Sequence, residues 1–493
     1  MPKASKTSLL ILHRQWVRFV ACFATTLILL SSTGVNAENE LPTIGNSSSS
    51  LVSIEQERKL GQAWLRSLRG QVKLFDNPIV EDYLAHLVYS LAPNSNVLDR
   101  DFSLVIVDSQ SLNAFAVPGS IVGINAGLFF YAISEQEFAS VIAHELAHLG
   151  QRHYARQLER QQLSAPLKLA GILASVVIAA TTGSDAGLAA LASTQALSAE
   201  QQLSFSRQNE QEADRLGIAT LYRSNYDPRA MPIMFERMFR QTRIQGEAIP
   251  EYLSTHPLSE SRVSDTRNRA TQYERQHYAD NIEYHISKNI VATYYAESDR
   301  AAIDYFNSII EKGNSTQIHA AKFGLAYASL KHAPKKAIEL LNDLIKIYPN
   351  QISLQVTLAD AIHHAGNSQV AVNTLKALLK RNPDNYPISD TLARIYLEMD
   401  QIMESEQLLK KLTRTQPLNP RIWYLLAEAN GLAGNIDDLH LARAEFFFLT
   451  NRLDDAIQQL RFALKKSHQN PQQTALIQKR MDELFLIKKE APF

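Results

Sequence analysis

Apolar and polar positions follow two rhythms along this chain. Ser53-Ile54-Glu55-Gln56 sets a hydroxyl three residues ahead of an amide side chain, the capping-box pattern, and predicts an amphipathic helix running towards Leu68. Pro78–Leu91 reads as a second helix. Phe102–Asp108 (FSLVIVD) is dense in β-branched residues and reads as strand, with two more short strands over Asn113–Val117 and Ser120–Asn125. The rest of residues 51–278 reads helical, and from about Val291 onward no strand rhythm remains. The pattern predicts an α+β domain over 51–278, a linker over 279–299 and an all-α domain over 300–493.

The second half repeats itself. Pro349, Pro383 and Pro417 stand 34 residues apart, as do Leu341, Leu375 and Leu409, and Leu344, Leu378 and Leu412. Leu358, Leu392 and Leu426 keep the interval, each followed by alanine (Ala359, Ala393, Ala427). A 34-residue period with a proline closing the second helix resembles the tetratricopeptide repeat. Two helices per unit cannot bury their apolar faces alone, so the units must stack into a solenoid with a groove-like concave face. Tyr327, His363, His364, Tyr396 and Trp423 are candidates for a binding role on that face or for packing inside the repeats.

At the other end, Lys3, Lys6, Arg14 and Arg18 precede the apolar run Phe19–Leu30, which ends in small residues and a Val35-Asn36-Ala37 site. That is the layout of a cleaved secretory signal over residues 1–37, followed by a polar start over 38–50. Cys22 lies inside the apolar run rather than at its end, which argues against a lipidated cysteine. Export suits a chain whose only cysteine is removed with the signal. Residues 165–199 hold two apolar runs around Thr181-Thr182-Gly183-Ser184-Asp185, each shorter than a bilayer span of ~20 residues. They read as a helical hairpin, either buried or touching a membrane surface or an unfolded client.

Composition narrows the function classes. Fifty basic residues balance 50 acidic ones, leaving no polybasic footprint and excluding nucleic acid as the main partner. One cysteine excludes a disulfide scaffold, a cysteine-based zinc module and an iron–sulfur site.

The chemistry lies in the first domain. Residues 144–148 read His-Glu-Leu-Ala-His, on a helix predicted to start at the Ser134/Glu137 capping box. Positions i and i+4 share a helix face, so His144 and His148 can reach one metal ion, and Glu145 borders that face where it can take a proton from water. Zinc suits two imidazoles and one carboxylate, leaving one coordination position open. The carboxylate must come from elsewhere. In Asn209-Glu210-Gln211-Glu212-Ala213-Asp214, Glu210 and Glu212 point to opposite sides of a helix, and Asp214 shares the face of Glu210 one turn on. Glu210 is the predicted third ligand, with Asp214 behind an imidazole to fix its tautomer. His153, five residues past His148, points off this face and reads as structural.

His144-Glu145-Leu146-Ala147-His148 followed by Glu210-x-x-x-Asp214 resembles the zinc peptidases that include the CAAX prenyl protease and the bacterial membrane heat-shock protease. Asn113–Gly119 (NAFAVPG) matches a stretch typical of their soluble relatives, with Ser120 where a second glycine is common; Thr255-His256-Pro257 with Arg262 resembles a further family motif. The resemblance implies a zincin-like α+β peptidase domain, with a metal-binding helix beside a small sheet and one Zn2+ per chain. Asn113, Ala114, Phe115, Ala116 and Val117 would form an edge strand that pairs with an extended substrate. His256 would either donate to the oxyanion or occupy the fourth zinc position, and Arg262 would contact the site or Asp214. With the export signal and repeats, the chain looks like the family's periplasmic branch, whose partners are misfolded or assembling outer-membrane proteins and, through the repeats, the β-barrel assembly machinery. The expected activity is that of a zinc endopeptidase in the quality control of those proteins. The alternative is a periplasmic chaperone or adaptor with a silent or structural metal site.

Overall fold

The computed structural model describes residues 53–160, 206–244, 251–467 and 470–490; the export segment, residues 38–50 and the apolar hairpin of 165–199 lie outside them. Helix α1 (Ile54–Gln71) opens on the full capping box of Ser53 and Gln56 and buries Trp64, Leu65 and Leu68. Helix α2 (Pro78–Leu91) starts where Asn77 accepts the Ile79 and Val80 N–H groups, with proline at the first position, whose missing N–H costs nothing there.

Strands β1 (Ser103–Val107), β2 (Ala114–Val117) and β3 (Ile121–Asn125) form one sheet in the order β1-β3-β2. β1 runs parallel to β3, and β2 antiparallel to it from Ala114↔Ile124 to Val117↔Ile121. β2 is therefore an edge. The turn between β2 and β3 carries Gly119 at φ 86° and Ser120 at φ 59°. A serine in left-handed backbone bears a steric cost that glycine avoids, and here its Oγ donates to Asp99 O at 2.7 Å. The substitution leaves the turn in place.

Helix α3 (Glu135–Gly150) begins where the Ser134 hydroxyl accepts the Glu137 N–H, and it packs against β2. α4 (His153–Arg160), α5 (Arg207–Arg223), α6 (Ala230–Ile244), α7 (Glu251–Thr255) and α8 (Glu260–Ala270) follow, with α5 and α6 laid against α3.

Residues 279–299, expected to be a linker, instead contain α9 (Ile282–Tyr295). Its Ile282, Tyr284, Ile286, Ile290 and Val291 are buried, and Tyr284 joins Tyr83, Phe129 and Phe138 in an aromatic cluster. The Tyr284 hydroxyl donates to Ala132 O at 2.8 Å. Apolar spacing on α9 is helical, but the polar stretch before it hides the continuation of the core.

The remaining described residues form a run of helices, each packed against the next. Pro334, Ser368, Ile402 and Ile436 open successive helices at intervals of 34 residues, and Ile352, Tyr386 and Pro420 open their partners at the same interval. The repeated leucines Leu341, Leu375, Leu409, Leu344, Leu378 and Leu412 are all buried between neighbouring helices. Of the candidate binding residues, Tyr396 is packed in a repeat core, Trp423 Nε1 donates to Pro417 O at 2.8 Å, and His363 bonds Glu398 and Ser368. Tyr327 faces the peptidase domain, accepting from Asn77 Nδ2 at 3.1 Å. The array meets that domain again where Glu283 accepts from Ser353 (2.7 Å) and Arg66 lies over the Phe448 ring (4.7 Å). Among the described residues no helix is long and apolar enough to cross a membrane.

Candidate active site

Three segments far apart in sequence meet at one buried point. His144 and His148, one turn apart on α3, turn their Nε2 atoms to within 3.0 Å of each other. From the first turn of α5, Glu210 Oε2 lies 3.5 Å from His144 Nε2 and Glu210 Oε1 lies 3.4 Å from His148 Nε2. His256, just past α7, brings Nδ1 to 3.1 Å from Glu210 Oε1 and 3.4 Å from His144 Nε2. Close approach of α5 to α3 depends on Gly217, where a Cβ would stand 3.3 Å from the His144 amide nitrogen and 2.8 Å from Met231.

Each donor is held from behind. His144 Nδ1 lies 3.0 Å from Asp214 Oδ1, as the shared face of Glu210 and Asp214 requires. Arg262 grips Asp214 with two bonds of 2.8 and 2.7 Å, and its other Nη lies 2.7 Å from Glu210 Oε2 and donates to Pro257 O. Its guanidinium stacks over Phe235, 5.1 Å from the ring centroid. The His256 ring stacks on Tyr252 at 4.7 Å and 25°. His148 Nδ1 meets His153 Nδ1 at 2.9 Å, so His153 is not a bystander. Its ring meets His148 on the side away from His144 and Glu210, and its other nitrogen lies 3.3 Å from Glu212. Sequence reasoning missed Tyr252, Phe235, Gly217 and the role of His153. Only His153 carried a signal, since a helix break at Gln151 and Arg152 resets the facing that spacing alone implies.

The electrostatics follow from this packing. Burial would push Glu210 up, but His256, Arg262 and the hydrogen bonds of His144 and His148 hold it well below the usual carboxylate range. Burial pulls His148 well below the ordinary imidazole value. For His144 burial acts downward too, but Asp214 and Glu210 outweigh it and lift the group to about 9. Glu145 is raised by burial, against the pull of His256 and His144. His256 Nε2 lies 3.6 Å from Glu145 Oε1.

Does this donor set fit zinc? One ligand atom each from His144, His148, Glu210 and His256 can be chosen with all four within 4.8 Å of one another. Ligands at 2.0–2.1 Å from a tetrahedral zinc stand about 3.3 Å apart, close to the 3.0–3.5 Å spacings found here. His144 Nδ1 faces Asp214 and His148 Nδ1 faces His153, while both Nε2 atoms converge on the carboxylate. The residues fit.

Comparison with known proteins follows the same line. Residues 78–270 match the model of peptidase family M48, and residues 363–429 match a tetratricopeptide-repeat model. The chain is 34% identical over 465 residues to the beta-barrel assembly-enhancing protease of Escherichia coli (strain K12), covering 94% of both chains. The chain belongs to this protease family. A putative member from Vibrio cholerae is 33% identical over 444 residues, covering 90% of this chain and 91% of that one. The mitochondrial metalloendopeptidase OMA1 of Arabidopsis thaliana shares 30% identity over 171 residues, 35% of this chain and 32% of that protein. Like the beta-barrel assembly-enhancing proteases, this chain is a zinc-dependent metalloprotease joining an M48 domain to a helical repeat array.

Proposed function

We propose that this protein is a periplasmic zinc endopeptidase that cuts stalled or misfolded outer-membrane β-barrel proteins, and that its repeats dock it to their assembly machinery. The convergence of His144, His148 and Glu210 around one point, with Glu145 beside it, is the observation that carries this reading. The signal-like layout of residues 1–37 supports the compartment, and the similarity to the E. coli beta-barrel assembly-enhancing protease supports the client class.

In this reading His144, His148 and Glu210 would hold the metal, and zinc there would supply a Lewis acid that brings the pKa of water to about 7. Glu145 takes the proton from the attacking water and returns it to the leaving amine. Its upward shift by burial suits a group that must hold a proton between those steps. Asp214 fixes the His144 tautomer and Arg262 fixes Asp214 and Glu210, so the donors keep their aim. Residues Asn113–Val117, along edge strand β2 beside α3, pair with an extended client through the backbone.

The place of His256 favours keeping a second reading. Its Nδ1 joins the donor set, so four protein groups surround the point, and a zinc ion held by all four would have no position left for water. We read this as a resting state that His256 leaves when a client arrives; a chaperone or adaptor with a permanently silent site would look the same. Glu145→Gln separates them, because a protease then keeps stoichiometric zinc and loses client cleavage. Unchanged β-barrel assembly with that variant would instead favour the chaperone. His256→Ala should raise proteolysis, and a drop would assign His256 to the oxyanion.

A further inference from the structure

We infer that the outer edge of strand β1 is a docking site for an extended peptide segment that alternates apolar and basic side chains. It lies across the sheet from the edge strand β2 and needs no metal.

The backbone sets where such a segment can pair. Ser103 N–H donates to Ser120 O at 3.0 Å, so Ser103 faces β3. Backbone groups along a strand alternate sides, which turns those of Leu104 and Ile106 away from β3. Residues 73–75 cover only the far end of that outer edge. Phe75 N–H donates to Ile106 O and Asp108 N–H to Lys73 O, both at 2.9 Å. Among the described residues none bonds the Leu104 N–H, the Leu104 C=O or the Ile106 N–H. A strand edge with open donors and acceptors is a template for another chain.

The lining selects the occupant. The open stretch borders a groove of about 430 Å3 between β1, α2 and array residues 415–420. Phe102, Leu104, Tyr89 and Leu418 give it apolar walls, and exposure of Tyr89 and Leu418 leaves it open to solvent. Asp76, Asp82 and Asp101 line it too, the first and last of them exposed. Glu81, held up to about 8 by burial, is mostly protonated at neutral pH, and Arg69 is the one cation among the described residues on the walls. Arg421, next in sequence to the lining residue Pro420, is taken up by two bonds to Asp390 of 3.0 and 3.2 Å. The balance is negative and favours a cationic guest. Side chains of a paired strand alternate with a period of two, so one set can meet the apolar walls while the other meets the carboxylates.

Binding should be read by fluorescence anisotropy with a labelled octapeptide alternating valine and lysine. The full mature chain carrying Glu145→Gln serves as parent, so that no peptide is cut. The parent should bind the peptide, and binding should slow hydrogen exchange at the Leu104 amide. Leu104→Pro deletes the edge donor and spares the β1–β3 ladder, because that N–H faces away from β3. It should weaken binding about 2–10-fold, the worth of one hydrogen bond. Asp76→Lys combined with Asp101→Lys should weaken it about tenfold, and a valine–glutamate octapeptide should bind less tightly than the lysine one. Both aspartates are exposed, so this double variant decides the case even if Leu104→Pro does not fold. Affinity within twofold of the parent in the double variant, equal binding of the glutamate peptide, or no binding at all overturns the proposal. Slowed exchange at β2 in place of β1 overturns it as well, since the peptide would then lie on the other edge. A parent chain that dimerises, with Leu104→Pro restoring the monomer, would make the occupant a second copy and overturn it too.

Discussion

The repeat array and the peptidase domain are stabilised in opposite ways. In the array, Leu375 and Leu378 of one helix pack with Ile388, Leu392 and Ile395 of the next, in a small cluster separate from its neighbours. Two further clusters of the same kind follow towards the C-terminus. In the peptidase domain one large core gathers α2, β3, α3, α6 and α9, and it reaches Leu341 and Leu354 of the early repeats. The active site hangs from that core, on three segments that lie 46 to 112 residues apart in sequence. Nearest-neighbour stacking confines damage to one unit. Convergence from distant segments spreads it. The early repeats belong energetically to the peptidase, and the later ones stand more nearly alone.

That contrast can be broken or sharpened by experiment. The largest effect is expected for Glu145→Gln, which should lower client cleavage about 100- to 10,000-fold while zinc content and melting temperature stay at wild-type values. Retained cleavage would remove Glu145 from the mechanism. Arg262→Ala should come next, since it leaves Asp214 and Glu210 buried without their cation. Breaking such a cluster costs about 3–5 kcal/mol, and thermal unfolding of the metal-free chain should report it, with zinc recovering part of the loss.

For the array, Leu375→Ala should cost about 2–5 kcal/mol through the cavity it leaves. Hydrogen exchange should show faster opening in residues 352–398, with the peptidase helices protected as before. Loss of protection in α3 would show that the two regions unfold together and erase the distinction drawn above.

The smallest effect concerns the seam between them. Burial, reinforced by Asp76, pushes Glu81 up to about 8 from an ordinary 4.5, and burial pushes Glu283 up to about 7. Glu81 accepts from Asn419 and Glu283 from Ser353, both residues of the array. A carboxyl whose folded value is raised lends stability that is whole below pH 4.5 and is lost as pH rises through its folded value. Melting temperature should therefore fall between pH 5 and 8.5, and Glu81→Gln should flatten that decline. An unchanged profile in the variant would take Glu81 out of the seam's energetics.

Much of this molecule is written in local pattern. The 34-residue period, the three strands, the Ser53 and Ser134 caps, and the facing of His144, His148, Glu210 and Asp214 all follow from periods of 2 and 3.6 residues, which neighbouring positions carry by themselves. Tertiary packing decided the rest. It brought His256 against His144 and Glu210, clasped Arg262 on both carboxylates, turned His153 towards His148 after the break at Arg152, and drew α9 into the core where a linker was expected. The reason is range: a helix face is fixed within one turn, whereas the meeting of residues 144, 210 and 256 depends on how α3, α5 and α7 pack, and no single stretch of sequence encodes that geometry.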